Sequence, residues 1–363
     1  MANSRELTSA AKAKKDEFYT QLTDIEKEMR YYRKHFKGKT VLCNCDDPFE
    51  SNFFKYFVLN FNRLGLKKLI ATCYATSPII GQQFSLFDVV GGEEEQRNKP
   101  YKAVVTKVYD VTGDGGVDMF DVAELFKTHE NELVELKGDG DFRSEECLAL
   151  LDEADIVVTN PPFSLFREYV AVLMEHEKHF IIIGNVNAVT YKEFFPLIRD
   201  NKVWFGASIH SGDRKFYVPD DYPLNAAGCG IDEDGRRFIR VKGVRWYTNL
   251  DLKQRHEEMI LVKRYTPEAY PRFDNYDAIN VDKTVDIPCD YAGAMGVPIT
   301  FLDKYSPDQF EILDARDIAK SDKQRKKSTL LIKDADSAIS GKPKYARIVI
   351  RNKHPEQPKE VQQ

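Results

Sequence analysis

The chain has 363 residues, a mass of 41.8 kDa and a net charge of −5, from 53 Lys plus Arg against 58 Asp plus Glu. Hydrophobic residues at 42% and charged residues at 31% exclude a disordered or fibrous chain and predict a soluble globular one of about two domains. The acidic balance excludes a uniformly basic nucleic-acid coat, although local basic patches still bind phosphates on an acidic protein.

No apolar stretch follows Met1, and no run approaches the ~20 apolar residues of a bilayer span. The expectation is a cytoplasmic protein with no membrane partner. The six cysteines are scattered without a CxxC pair, as expected of reduced thiols. Residues 16–36 predict an amphipathic helix, with Phe18, Leu22, Ile25 and Met29 at helical spacing. Lys39 to Cys43 predicts a strand and Asp46-Asp47-Pro48 a turn. Asn52 to Leu64 predicts a helix closed by Gly65, and Lys68 to Tyr74 a second strand. This is the first half of a doubly wound α/β sheet.

Residues 75–137 interrupt the pattern and read as an insertion, with an edge strand at Tyr101 to Val108 and a short helix at Val122 to Phe126. Asp110 to Asp121 nearly fits a calcium loop, with Asp in place of Glu at its twelfth position and no partner loop; a plain Asp/Gly turn is the alternative. Regularity returns with a helix at Ser144 to Asp152, a strand at Asp155 to Val158, a helix from about Leu165 to Glu175 and a strand at Phe180 to Ile183. Val203 to Phe205 and Arg245 to Tyr247 are expected to complete the sheet. Beyond about residue 250 the alternation stops, and the residues from about Asn352 read as a disordered tail.

The sharpest motif is Asn160-Pro161-Pro162-Phe163, directly after a strand. In an open α/β sheet, ligands bind beyond the carboxyl ends of strands. Two prolines fix the backbone and remove two N–H donors. The acceptors that remain, the Asn160 side-chain oxygen and the Pro161 carbonyl, can take both hydrogens of an exocyclic amino group. Phe163 offers a flat face for a planar ring. This arrangement suits methyl transfer to adenine N6, whose lone pair is delocalised into the ring. Two fixed acceptors draw that nitrogen toward tetrahedral geometry and stabilise the positive charge that develops as it attacks. The donor must be a sulfonium, S-adenosyl-L-methionine, and the seven histidines show no ligand spacing, so no catalytic metal is expected.

With that motif placed, the chain resembles the EcoRI-type adenine-N6 DNA methyltransferases. The likeness includes Asp16-Glu-Phe-Tyr-Thr20, Cys43-Asn-Cys-Asp-Asp-Pro48, Gly138-Asp-Gly-Asp-Phe-Arg-Ser144, Asp155 through Phe166, Asn185-Val-Asn187 and Thr248-Asn-Leu-Asp251. It continues through Asp274 to Asn280 and Met295 to Leu302. The resemblance implies a Rossmann-like S-adenosylmethionine-dependent methyltransferase sheet in residues 1–250 and a C-terminal target-recognition region in residues 251–363. Its substrate would be double-stranded DNA, bound by a monomer, in restriction–modification or phage self-protection. Phe18, Tyr19 and Thr20 would help bind the cofactor, as would Asp141 and Phe142. Asp46, Asp47 and Pro48 sit where such enzymes carry a glycine-rich loop; here Glu50-Ser51-Asn52 replaces the glycines. The expectation is that the Asp46 or Asp47 side chain holds the methionine moiety instead. No acid follows the second strand to grip the ribose.

Two alternatives stay open. The same motif serves RNA and protein amide N-methyltransferases, and an inactive DNA-binding protein could use the same fold. Lys12, Lys14 and Lys15, then Arg236, Arg237 and Arg240, then Lys323 to Lys327, are the basic clusters expected to meet phosphates.

Overall fold

Thr40-Val-Leu-Cys43 is an unbroken buried run, the pattern of a strand covered on both faces, and it forms β1 at the centre of the molecule's main sheet. The structure, a computed structural model, describes residues 19–45, 48, 51–72, 100–111, 125–126, 130–210, 212–218, 222–225 and 228–357. The chain divides into two compact units, residues 1–186 with 211–250, and residues 187–210 with 251–363.

In the first unit, helices α1 (Leu22–Met29) and α2 (Arg33–Phe36) lead into β1, so the single helix expected over 16–36 is broken within its described part. Helices α3 (Asn52–Leu59) and α4 (Phe61–Leu64) connect β1 to β2 (Lys68–Thr72). Phe53, Phe54 and Phe57 on α3 are almost wholly buried; each removes enough apolar area from water to contribute roughly 1.5–3 kcal/mol. Gly65 ends α4 with φ 65°, the left-handed cap expected of it.

The stretch read as an insertion supplies β3 (Tyr101–Val105) and β4 (Glu132–Glu135), antiparallel additions outside β2. β3 is therefore an interior strand, and β4, which the sequence reading missed, lies beyond it. Residues 122–124 of the expected helix and all of the calcium-like loop past Val111 lie outside the described residues, while Leu125 and Phe126 form a buried turn. Helix α5 (Glu145–Glu153) is capped by the Ser144 side chain, β5 (Ile156–Thr159) follows, and α6 (Phe166–Glu175) leads to β6 (His179–Asn185). The second unit then holds α7 (Phe195–Arg199) and the two-residue strand β7 (Trp204–Phe205).

Back in the first unit, β8 (Asp213–Tyr217), β9 (Gly230–Ile231) and β10 (Arg237–Lys242) form a small sheet of order β8-β10-β9, and β11 (Val244–Thr248) pairs antiparallel with β6. The main sheet of this unit runs β4-β3-β2-β1-β5-β6-β11, with β2, β1, β5 and β6 parallel. It is the Rossmann-like arrangement expected. The β1–α–β2 connection moves to one side of β1, and β5 lies on the other. The crevice between the carboxyl ends of β1 and β5 is thus the switch point of the sheet.

At the opposite ends of these strands, Asp155 pins β5 to β1. Its carboxylate accepts from the Thr40 N–H at 2.8 Å and from Lys39 Nζ at 3.1 Å. Burial pushes the Asp155 carboxyl up, but these two donors outweigh it and hold it below the ordinary range.

Residues 251–363, where the regular alternation was expected to stop, contain a four-stranded sheet in the second unit. Its order is β12-β13-β15-β14, from β12 (Ile279–Asn280), β13 (Met295–Pro298), β14 (Phe310–Leu313) and β15 (Arg347–Asn352). Phe273, Tyr276, Ile332 and Val349 centre its core. The run expected to be loose from Asn352 is tied down as far as it is described: Lys353 N–H donates to the Gln309 carbonyl and Glu356 N–H to that of Cys289. The basic stretch near Lys320 forms helix α8 (Asp322–Lys327), capped by Ser321. No helix among the described residues is long and apolar enough to cross a membrane.

Candidate active site

Ile156-Val-Val-Thr159 is β-branched throughout and buried between β1 and β6, so it carries Asn160 to the carboxyl edge with little freedom. Thr159 and Asn160 are buried, and so are Pro161 and Pro162. The chain then turns through a 3₁₀ segment, Phe163–Leu165, closed by a hydrogen bond from Leu165 N–H to the Pro162 carbonyl at 3.0 Å. Phe163 is half-buried, its ring edge-on to Phe216 of β8 at 6.5 Å.

Helix α6 fixes the far side of this turn. Phe166, its first residue, packs over Gly184 of β6 and beside Tyr247 of β11 at 5.1 Å. A Cβ on Gly184 would lie 2.7 Å from Phe166 Cζ, closer than real atoms approach, so only glycine lets the helix seat here. One turn on, the Tyr169 hydroxyl donates to Asn44 Oδ1, just past the end of β1. The Tyr169 ring also meets Phe142 edge-on at 5.0 Å. Residues from the ends of β1 and β5 and from the loop before α5 thus converge on the switch point.

The other expected residues are placed as follows. Phe18, Asp46 and Asp47 lie outside the described residues, whereas Pro48 is buried after β1. Tyr19 exchanges backbone hydrogen bonds with Tyr217 of β8, at 3.0 and 3.2 Å, a single antiparallel bridge onto the small sheet. Thr20 is buried, and its carbonyl accepts from Asn52 Nδ2 at 2.7 Å. Ser51 caps α3 by accepting from the Phe53 N–H at 3.2 Å. Ser51 and Asn52, of the three residues standing in for the glycines, therefore cap a helix and tie it to Thr20. The Asp141 carboxylate is held by Arg143 through Nε at 2.9 Å and Nη2 at 2.7 Å, and Arg143 also reaches Glu168 at 2.8 Å. Phe142 is 2% exposed, a buried ring.

Three residues near these strand ends escaped the sequence reading. Asn44 sits inside a quoted motif, yet only its link to Tyr169 singles it out. Arg214 of β8 shares the small sheet with Phe216. Thr72, the last residue of β2, is buried and its hydroxyl has no hydrogen-bond partner among the described residues, a condition shared by the Thr20 hydroxyl. A buried hydroxyl without a partner is costly, so both positions suit a polar ligand.

Of the expected phosphate contacts, Lys12, Lys14 and Lys15 lie outside the described residues. Arg236 is neutralised by Asp232 and Asp234, at 3.2 and 2.6 Å.

The family model described as adenine-specific methyltransferase EcoRI matches residues 6–353. The type II methyltransferase M.EcoRI of Escherichia coli is 46% identical over 97% of this chain and 98% of its own. M.MpnI of Mycoplasma pneumoniae is 36% identical, over 95% of this chain and 97% of its own, and M.MgeORF184P of Mycoplasma genitalium is 36% identical over 94% and 97%. No solved structure matches. The chain belongs to the adenine-specific methyltransferase EcoRI family, and it is an adenine-specific DNA methyltransferase.

Proposed function

We propose that the enzyme binds duplex DNA, rotates one adenine out of the stack and methylates its N6 at the Asn160-Pro161-Pro162-Phe163 turn. The observation that carries this reading is the place of that turn, at the carboxyl end of β5 beside the switch point. The Asn160 side-chain oxygen and the Pro161 carbonyl accept the two N6 hydrogens, and Pro162 denies the turn an alternative donor. Phe163, braced against Phe216, stacks on the extruded base. The acceptors stabilise charge that exists only as N6 attacks, so they act on the transition state more than on binding.

S-adenosyl-L-methionine supplies an electrophilic methyl group when bound. The residues around β1 and β2 fit such a ligand. The Thr20 and Thr72 hydroxyls offer hydrogen bonds to its polar groups, with Thr72 standing at the strand end where no acid occurs. Tyr19 and Pro48 lie on the β1 side, and Phe18, Asp46 and Asp47, which belong to the same two sequence motifs, are proposed to join them in binding. Asp141 and Phe142 close the opposite side, with Arg143 orienting the carboxylate. Residues 1–250 carry catalysis and residues 251–363 recognise the target. The enzyme works as a monomer in the cytoplasm, in restriction–modification or phage DNA protection.

Methylation-aware sequencing of DNA from cells expressing the protein tests this reading. The expected result is N6-methyladenine at one short sequence. Transfer of labelled methyl to RNA or protein, with none to DNA, would overturn it.

A further inference from the structure

The two faces of the small β8-β10-β9 sheet handle their cations differently. The pairing places Tyr217 opposite Phe238, Phe216 opposite Ile239, Lys215 opposite Arg240 and Arg214 opposite Val241. Because side chains alternate, Lys215, Tyr217, Phe238 and Arg240 share one face, and Arg214, Phe216, Val218, Arg237, Ile239 and Val241 share the other.

On the first face Lys215 is paired, while exposed Arg240 lies 5.8 Å over the Phe238 ring. Lys215 bonds Asp232 at 3.2 Å and lies 4.4 Å over the Phe238 ring, and neighbouring Arg236 bonds the same aspartate and lies 4.4 Å over Tyr217. The second face is apolar and buried at Phe216, Val218, Ile239 and Val241, with an arginine at each end of that patch. The Nε of Arg214 and the Nε of Arg237 are both buried without a hydrogen-bond partner among the described residues. Each guanidinium spends one donor on a neutral carbonyl, Arg214 on Asp213 at 3.1 Å and Arg237 on Tyr222 at 2.7 Å. Among the described residues neither has a carboxylate partner. Phe216, between them, touches Phe163 of the catalytic turn.

We propose that Arg214 and Arg237 form an anion clamp for the DNA phosphodiester backbone on the two sides of the extruded nucleotide. This rests on the DNA-methylation reading above. An arginine with unmet donors in a fixed fork is the group that meets phosphate oxygens in pairs. Residues two apart on a strand are about 7 Å apart, so Arg214 stands one step along β8 from the ring that braces Phe163, and Arg237 stands one step along β10 from Ile239, the residue paired with Phe216. Gripping the strand there holds the sugar-phosphate turned outward while the base occupies the pocket. Arg236, exposed and already paired, takes no part.

The test measures DNA affinity of the full-length enzyme against salt, with S-adenosylhomocysteine binding alongside, for Arg214→Gln, Arg237→Gln, Arg214→Lys and Arg236→Gln. Each Gln variant of the clamp should weaken target binding about tenfold and flatten the slope of log affinity against log salt by about one. Arg214→Lys should recover the slope and only part of the affinity, and Arg236→Gln should match wild type. S-adenosylhomocysteine binding should not change. Unchanged slopes in both Gln variants would overturn the clamp, as would loss of S-adenosylhomocysteine binding, which would mark these arginines as cofactor or structural groups. If wild type itself neither binds nor methylates DNA, the underlying reading fails instead.

Discussion

The carboxyl ends of β5 and β1 face one crevice but are built in opposite ways. At β5 the proposed base pocket is four consecutive residues, made rigid by two prolines and by a strand of β-branched side chains. At β1 and β2 the proposed cofactor side is assembled from Thr20, Asn44, Thr72 and Phe142, separated by up to 122 residues and brought together by packing, with Asn44 bonded to Tyr169. Stiffness at the first comes from covalent geometry; at the second it comes from packing and caps. The first should therefore respond to mutation through chemistry, and the second through binding.

The largest effect should come from Asn160→Ala. Loss of one preorganised acceptor is expected to lower turnover by about 10²–10³-fold, measured in single-turnover methyl transfer, while DNA affinity stays near wild type. Equal turnover would deny Asn160 its role. Next is Gly184→Ala, which drives a methyl into Phe166 and should cost about 1–3 kcal/mol in denaturant unfolding. It should also slow transfer, because Phe166 opens the helix that follows the catalytic turn. Unaltered unfolding would mean that α6 can move away freely.

Thr72→Val sharpens the comparison from the other side. Removing a buried hydroxyl without a partner should leave the free enzyme as stable or slightly more so. It should weaken S-adenosylhomocysteine by about tenfold in calorimetry, as one lost hydrogen bond does. Unaltered affinity would remove Thr72 from the cofactor side.

The smallest effect lies away from both strand ends. In the second unit, His256 bonds Asp308 at 2.6 Å and Asp251 at 2.8 Å. Those two carboxylates raise its pKa above the ordinary 6.5. A raised pKa favours the folded state when the histidine is charged. That contribution is fully present below about pH 6.5 and fades as pH rises through the folded value. His256→Gln should therefore destabilise the enzyme slightly at pH 6 and hardly at all at pH 9, as followed by thermal unfolding. A larger loss at pH 9 would reverse the sign.

How much of this was legible in the sequence follows from range. Asn160-Pro161-Pro162-Phe163 was readable because its rigidity and its acceptors are properties of adjacent residues. The strands β1, β2, β5 and β6 were readable because strands buried on both faces form continuous apolar runs. The sheet of residues 279–352 was not, since β12 has two residues and β13 contains Gly296 and Pro298. β13 exists through pairing with β15, far along the chain, and β12 through pairing with β13; β13 admits Phe273 only because Gly296 lacks a side chain. β4 was missed for a related reason: its charged ends mask the pattern, and β3 supplies its bonds.

The sequence by itself determined the chemistry, an amino-group acceptor site after a buried strand, together with the family that uses it. Backbone restriction and side-chain type are local quantities, so they survive without coordinates. The tertiary structure decided what surrounds that chemistry. It brought Asn44 to Tyr169 and Phe216 to Phe163, and it made Arg236 a paired surface group while leaving the Arg214 and Arg237 Nε donors without partners among the described residues. Burial and partnership depend on which distant segments meet, and only the folded chain brings those segments together.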